Sequence, residues 1–198
     1  KSRGLGDVYK RQLFHLMLQK SIIPDVFLEK LLTQLRYEIL YNLINSKKHN
    51  LNEYFNFIIS LAEQCWLNEY IYTESEKEID LINKLKDKIE KNKDVNELEV
   101  AILGCYMPLK NIISKLPDYK STNILFNNLI DVQIKEPLRE KELTKSIKSF
   151  SVIDNSVSKQ VRQQYEKNPY PRWKFTNQNY PSHFLNILNS EIKPNRVN

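Results

Sequence analysis

Glycine is scarce in this chain of 198 residues: there are three, and two of them, Gly4 and Gly6, lie among the first six residues, so Gly104 stands alone from residue 7 onward. Only a residue without a Cβ lets several backbone N–H groups close on a phosphate, and P-loops and dinucleotide-binding turns need more than one such residue. The chain holds no such cradle. Long apolar runs are missing too: none approaches the ~20 residues that cross a bilayer, and no apolar segment with a small-residue cleavage site opens the sequence. The expectation is a cytoplasmic protein without a membrane partner.

Cysteine and histidine are equally sparse. Cys65 and Cys105 each fall inside an apolar helical pattern, where reduced core thiols are expected and not a secreted disulfide framework. His15, His49 and His183 lie far apart, and none is spaced with a Cys, Asp or Glu as metal ligands are, so no metal is expected. Neither a Gly-x-Ser-x-Gly elbow nor an H-E-x-x-H pair occurs.

What is present describes a folding chain: 41% hydrophobic, 27% charged and 11% aromatic residues supply a core. The formal net charge is +6, but half of it comes from the first twelve residues, where Lys1, Arg3, Lys10 and Arg11 face only Asp7. That segment, KSRGLGDVYKRQ, resembles a translated sequencing-adapter tail and is read as non-native. The remaining charge is weakly basic and unclustered, which argues against nucleic acid as a partner. Lys84, Lys86, Lys88, Lys91 and Lys93 alternate with Asp87 and Glu90, the composition of a solvated helix.

From Leu13 onward apolar positions recur at three and four residues, with almost no sustained alternation. The spacing predicts an all-α fold, an irregular helical bundle or stacked helical hairpins, with an extended Pro-rich segment near the C-terminus. No regular ~34-residue repeat is evident. The expected division is a tail at 1–12, a helical domain at 13–150, and a helix plus linker at 151–198. Pro24 suits a first helical turn, followed by a buried stripe of Val26, Phe27, Leu31, Leu35, Ile39, Leu40 and Leu43. A helix over 51–72 is expected to bury Tyr54, Phe55, Ile58, Leu61, Ala62, Cys65 and Trp66. Inside it Asn68 and Glu69 either pair, with Arg139 or Arg162, or sit at the helix end.

Thr73 with Glu76 fits a capping box, and Asp94 with Glu97 a looser one. The first opens a charged helix to about 91, the second an apolar helix through Tyr106 that Pro108 interrupts. Ser121 is expected to cap a helix to about 134, and Pro137 to open another with Glu136, Arg139, Glu140 and Glu142 as a solvated face. Ser156 or Ser158 begins a helix that stops by Asn168, since a residue preceding proline is pushed out of the α region. A short helix is expected after Pro181, carrying Phe184, Leu185 and Leu188.

Residues 157–173, VSKQVRQQYEKNPYPRW, are the densest in chemistry. Asn-Pro-Tyr-Pro holds two φ angles and presents Tyr170, Arg172 and Trp173 with little ordering entropy. Read from the residues alone, this segment is either a site or a clamp that pins the last helices to a core. It resembles the VRxQYExNPYPRW signature that precedes the catalytic domain in a family of bacterial class I S-adenosylmethionine-dependent methyltransferases, often with tetratricopeptide-like N-terminal helices. DVFLEKLLTQLRYEIL at 25–40, LAEQCWLNEYIY at 61–72, GCYMPL at 104–109 and QIKEPLREKEL at 133–143 are similar to that family's N-terminal half in the same order.

The resemblance implies that residues 13–198 are the helical part of such an enzyme, cut off before the strand and glycine turn that grip the cofactor. The full-length protein would then use S-adenosylmethionine, whereas this portion alone binds none and has no catalytic residue. Its partners would be the missing catalytic domain in cis and an unidentified methyl acceptor. It further implies that Tyr165, Asn168, Tyr170, Arg172 and Trp173 face cofactor or substrate, the aromatic faces against the sulfonium cation and Arg172 against a carboxylate. The alternative is a tetratricopeptide-like protein-interaction module without methyltransferase activity.

Overall fold

The computed structural model describes residues 5–45, 50–92, 94–111, 116–147 and 155–167, and among these there is no strand. The helices are α1 (Leu5–Lys20), α2 (Val26–Ile44), α3 (Phe55–Leu67), α4 (Glu76–Lys91), α5 (Glu97–Gly104), α6 (Ile124–Ile130), α7 (Glu136–Thr144) and α8 (Ser156–Lys167), with short 3₁₀ turns at Leu51–Tyr54, Leu109–Asn111 and Leu116–Asp118. The fold is all-α, as the periodicity predicts. The Pro-rich segment and the short helix expected after Pro181 lie outside the described residues.

α3 is the axis of the bundle. Every residue from Ile58 to Leu67 is buried, the polar Ser60, Glu63 and Gln64 included, because neighbouring helices enclose α3 on all sides. α1, α5 and α6 pack around it, while α2 and α4 pair beside α5. α4 contributes one narrow stripe, Leu81, Ile82, Leu85 and Ile89, and turns its lysines to water. Phe126 seals the base between Phe55 and Tyr119, with ring centroids 5.9 and 6.1 Å away.

Several boundaries differ from the sequence reading. The capping box of α4 is Ser75 with Glu78, two residues beyond Thr73 and Glu76, and α5 is capped by Asn96 and not by Asp94. Asp25 caps α2, so Pro24 precedes the helix instead of opening it. α3 ends at Leu67, short of Tyr72, and Tyr54, expected inside, is exposed. α5 ends at Gly104, so Pro108 interrupts nothing. The buried face of α2 is Leu32, Arg36 and Leu40, whereas Val26, Phe27 and Leu31 are open to solvent. α1 runs through the proposed boundary at residue 12.

The region after Ser121 departs most. Asn123 is the cap, accepting from the N–H groups of Leu125 and Phe126, and Ser121 instead accepts from the N–H of Asn123. α6 and α7 then join without a break through a π turn at Asp131–Lys135, in which the Glu136 N–H reaches back to the Asp131 carbonyl. Pro137 explains the wide turn: in an α-helix its ring would strike the carbonyl of residue 133, and one extra residue in the turn relieves that clash. α7 itself buries nothing, as expected for its charged face.

Candidate functional site

α2 carries a positive charge into the core. Arg36 is completely buried, one turn from Leu32 and one from Leu40. Its Nη2 donates to the carbonyls of Thr73 (2.9 Å) and Tyr72 (3.3 Å), and its Nη1 to that of Cys105 (3.4 Å). Glu78 Oε1, on α4, lies 3.5 Å from Nη2. The guanidinium plane is covered by Tyr106, with 4.3 Å from its carbon to the ring centre, and flanked by Tyr72 at 5.7 Å, distances at which an aromatic face attracts a cation.

Glu78 does two things at once. Its Oε2 accepts from the Ser75 N–H and closes the capping box, while Oε1 accepts from the Tyr106 hydroxyl at 2.8 Å and faces Arg36. Burial and the adjacent Glu78 carboxylate push the Tyr106 phenol far above its ordinary range; Arg36 counters this only in part. Burial also raises Tyr72. Burial, with Cys65 beside it, pushes the Cys105 thiol up, so it stays protonated and un-nucleophilic at neutral pH. Both cysteines are free and buried, in line with the reading of core thiols. The arrangement can hold backbone in place and has no activated nucleophile.

A second buried polar side chain extends the same centre. Gln133, in the π turn, donates through Nε2 to the carbonyls of Ala62 (3.1 Å) and Gly104 (3.2 Å) and accepts from the Tyr70 hydroxyl (3.4 Å). Tyr70 belongs to an unusual turn: Glu69 and Tyr70 both adopt left-handed φ, 57° and 59°, a conformation that strains non-glycine residues by about 1 kcal/mol or more each. Local contacts hold it. The Tyr70 N–H donates to the Cys65 carbonyl at 2.8 Å and to Asn68 Oδ1 at 3.1 Å, and its ring meets Trp66 edge-on. Asn68 takes both roles open to it: it caps α3, and it is buried and paired, its Oδ1 accepting from the Tyr70 N–H. The turn aims the carbonyls of Tyr72 and Thr73 at Arg36.

Thus 25–40 supplies Arg36, 61–72 supplies Tyr70 and Tyr72, 104–109 supplies Gly104, Cys105 and Tyr106, and 133–143 supplies Gln133; these four separated segments meet in two polar groups that adjoin along the chain at Gly104 and Cys105. Sequence reasoning passed over Arg36, Glu78 and Gln133. For Glu78 and Gln133 the signal was available: each occupies a position that the three-and-four spacing of its neighbours puts inside, and a polar residue there needs partners. Of the residues singled out near the C-terminus, Tyr165 lies on α8, whose first turn is capped by Asn155 Oδ1 accepting from Val157 and Ser158. Asn168, Tyr170, Arg172 and Trp173 lie outside the described residues.

A smaller polar cluster joins α1 to α3. Ser60 Oγ donates to the Asn56 carbonyl (2.9 Å) and accepts from Gln19 (3.3 Å), so His15 Nδ1, 2.8 Å away, is the donor to it. Burial, with a smaller contribution from Arg11, lowers the His15 pKa below its ordinary 6.5, the backbone bond to Asn56 opposing. The fold therefore favours neutral imidazole. This part of the stability is present above pH 6.5 and is lost as pH falls below it, because the unfolded chain takes up the proton first. His15→Gln should flatten that component in urea unfolding followed from pH 7.5 to 5.5. Glu74, whose carboxyl burial raises, acts in the opposite sense at lower pH and cancels when variant and wild type are compared.

Among the described residues, no three His, Cys, Asp or Glu side chains stand together as a metal site, and no helix is long and apolar enough to cross a membrane. No family model, curated protein or solved structure matches the chain.

Proposed function

We propose that the chain is the N-terminal helical portion of a class I S-adenosylmethionine-dependent methyltransferase, working in the cytoplasm beside a catalytic domain that carries the cofactor. The observation that supports this reading is that the four family-like segments pack together: Arg36 bonds to the carbonyls of Tyr72 and Cys105 under the Tyr106 ring, and Gln133 bonds to those of Ala62 and Gly104. Segments scattered in sequence yet packed together fold as a unit, as expected if the resemblance covers the whole helical portion. In this reading the bundle is a rigid mount, and α8 leads into the NPYPRW segment that faces the cofactor cleft. Methyl transfer from a sulfonium needs mainly alignment and exclusion of water, so the mount acts through positioning.

The test has two arms. Calorimetry of the chain with S-adenosylmethionine should give no appreciable heat, since no glycine turn is present to grip the cofactor; clear binding overturns the assignment of this portion as cofactor-free. Coding sequence downstream of the Asn198 codon should specify a strand and a glycine-rich turn. A stop codon or a further helical array there overturns the methyltransferase reading and favours the interaction module, which the open apolar surface on α1 and α2 also suits.

A further inference from the structure

Among the described residues α1 is fastened to the bundle chiefly through α3, and has no comparable attachment to another helix. Leu18 is fully enclosed and Gln19 nearly so, and Phe14 stacks on Phe57 with ring centroids 6.4 Å apart. The Gln64 amide, turned to donate, reaches the carbonyls of Leu18 (2.8 Å) and Ser21 (3.0 Å). Into this neutral seam His15 brings a side chain whose charge changes between about pH 5 and 8.

Hydrogen-bond capacity at Ser60 fixes the form of the docked ring. The Ser60 hydroxyl is completely enclosed, gives its proton to the Asn56 carbonyl and accepts from Gln19. Its remaining lone pair takes the His15 Nδ1–H, so Nε2 is the bare nitrogen of a neutral imidazole whose edge meets Phe57 at 6.3 Å. The side chains that face the ring from α3, those of Phe57 and Ser60, carry no charge, and Glu63, the acid of that helix, is not among the groups that act on it. On α1 itself Arg11, one turn earlier, adds a like charge. A proton on Nε2 therefore meets no counter-charge while α1 is docked, and the Asn56 carbonyl offsets this only in part.

We propose that the seam between α1 and α3 is an acid-operated joint: protonation of His15 lets α1 open away from α3 while α5 and α6 keep their own sides of α3 closed. Opening uncovers Phe57, Ser60 and Gln64, so this strip of α3 is offered to solvent in acid and withheld at neutral pH. Linkage sets the size of the response. A freed ring that titrates at the ordinary value raises the opening equilibrium by at most about tenfold between pH 7.5 and 5.5, so the joint is graded.

Hydrogen exchange of the 198-residue chain, read by peptide mass spectrometry at pH 7.5 and 5.5 and corrected for intrinsic rates, tests the joint. At pH 5.5 the amides of α1 should be at least about tenfold less protected than those of α5, which marks an opening of α1 alone. Their protection should fall about threefold to tenfold from pH 7.5, and this fall should vanish in His15→Gln, whose amide can still donate to Ser60. Equal protection of α1 and α5 at pH 5.5, α1 protection that ignores pH, or a fall that persists in His15→Gln overturns the proposal. The first two readings use the unaltered chain and hold even if the variant fails to fold. None of these outcomes depends on whether the chain belongs to a methyltransferase.

Discussion

Replacing Arg36 with methionine should lower the unfolding free energy by about 3–5 kcal/mol, the range for removing one partner of a buried ion pair. Small domains hold only about 5–15 kcal/mol in total, so this single change takes the chain close to its threshold. The loss has three sources. Glu78 is left charged and enclosed, the carbonyls of Tyr72, Thr73 and Cys105 lose their donor, and the Tyr106 ring loses the cation that it covers. Adding Glu78→Gln to the variant should return about 1–2 kcal/mol, since a neutral amide removes the stranded charge and can still accept from the Tyr106 hydroxyl. Urea denaturation of the two single variants and the double variant measures the coupling. A loss below about 1 kcal/mol for Arg36→Met would mean that the centre is dispensable for folding.

Gln133→Leu comes second, with an expected loss of about 2–3 kcal/mol. The leucine fits the volume but cannot donate to the carbonyls of Ala62 and Gly104, nor accept from Tyr70, and all of these groups are enclosed or half-enclosed. Gln133→Glu should be worse than Gln133→Leu at neutral pH, because it aims a carboxylate at two carbonyl oxygens. Lowering the pH should then narrow the gap as the carboxyl takes a proton and donates one of the lost bonds. Thermal unfolding of both variants at pH 7 and 5 checks the order; equal Tm values for Gln133→Glu and wild type would remove Gln133 from the list of interior fastenings.

Local signals were legible and long-range ones were not. The start of α8 at Ser156 follows from Asn155 and the serines, all within reach of the helix itself. Two caps were displaced by two residues in the same way. Thr73 with Glu76 and Ser75 with Glu78 are equally good as sequence, but only the second puts a carboxylate under Arg36. Asp94 with Glu97 and Asn96 with Glu99 compete likewise, and the second pair lets Glu99 meet Lys88 of α4 at 2.7 Å.

α2 is apolar on more than one face, so the choice of Leu32, Arg36 and Leu40 as its inner stripe depends on acceptors contributed by residues 72, 73, 78 and 105. Spacing within α2 therefore does not single out Arg36. The π turn was hidden for another. Pro137 signals either a fresh helix or a widened one, and the burial of Gln133 selects the second.

The widened turn also makes a lever of the rod formed by α6 and α7. Its near half is clamped by Phe126, Leu129, Ile130 and Gln133, while its far half, nine residues or about 14 Å at 1.5 Å per residue, buries no side chain among the described residues. A tilt of about 10° at the fulcrum would sweep the tip by roughly 2 Å over that arm. The hydrogen bonds of one amide therefore set the bearing of everything that α7 carries outward.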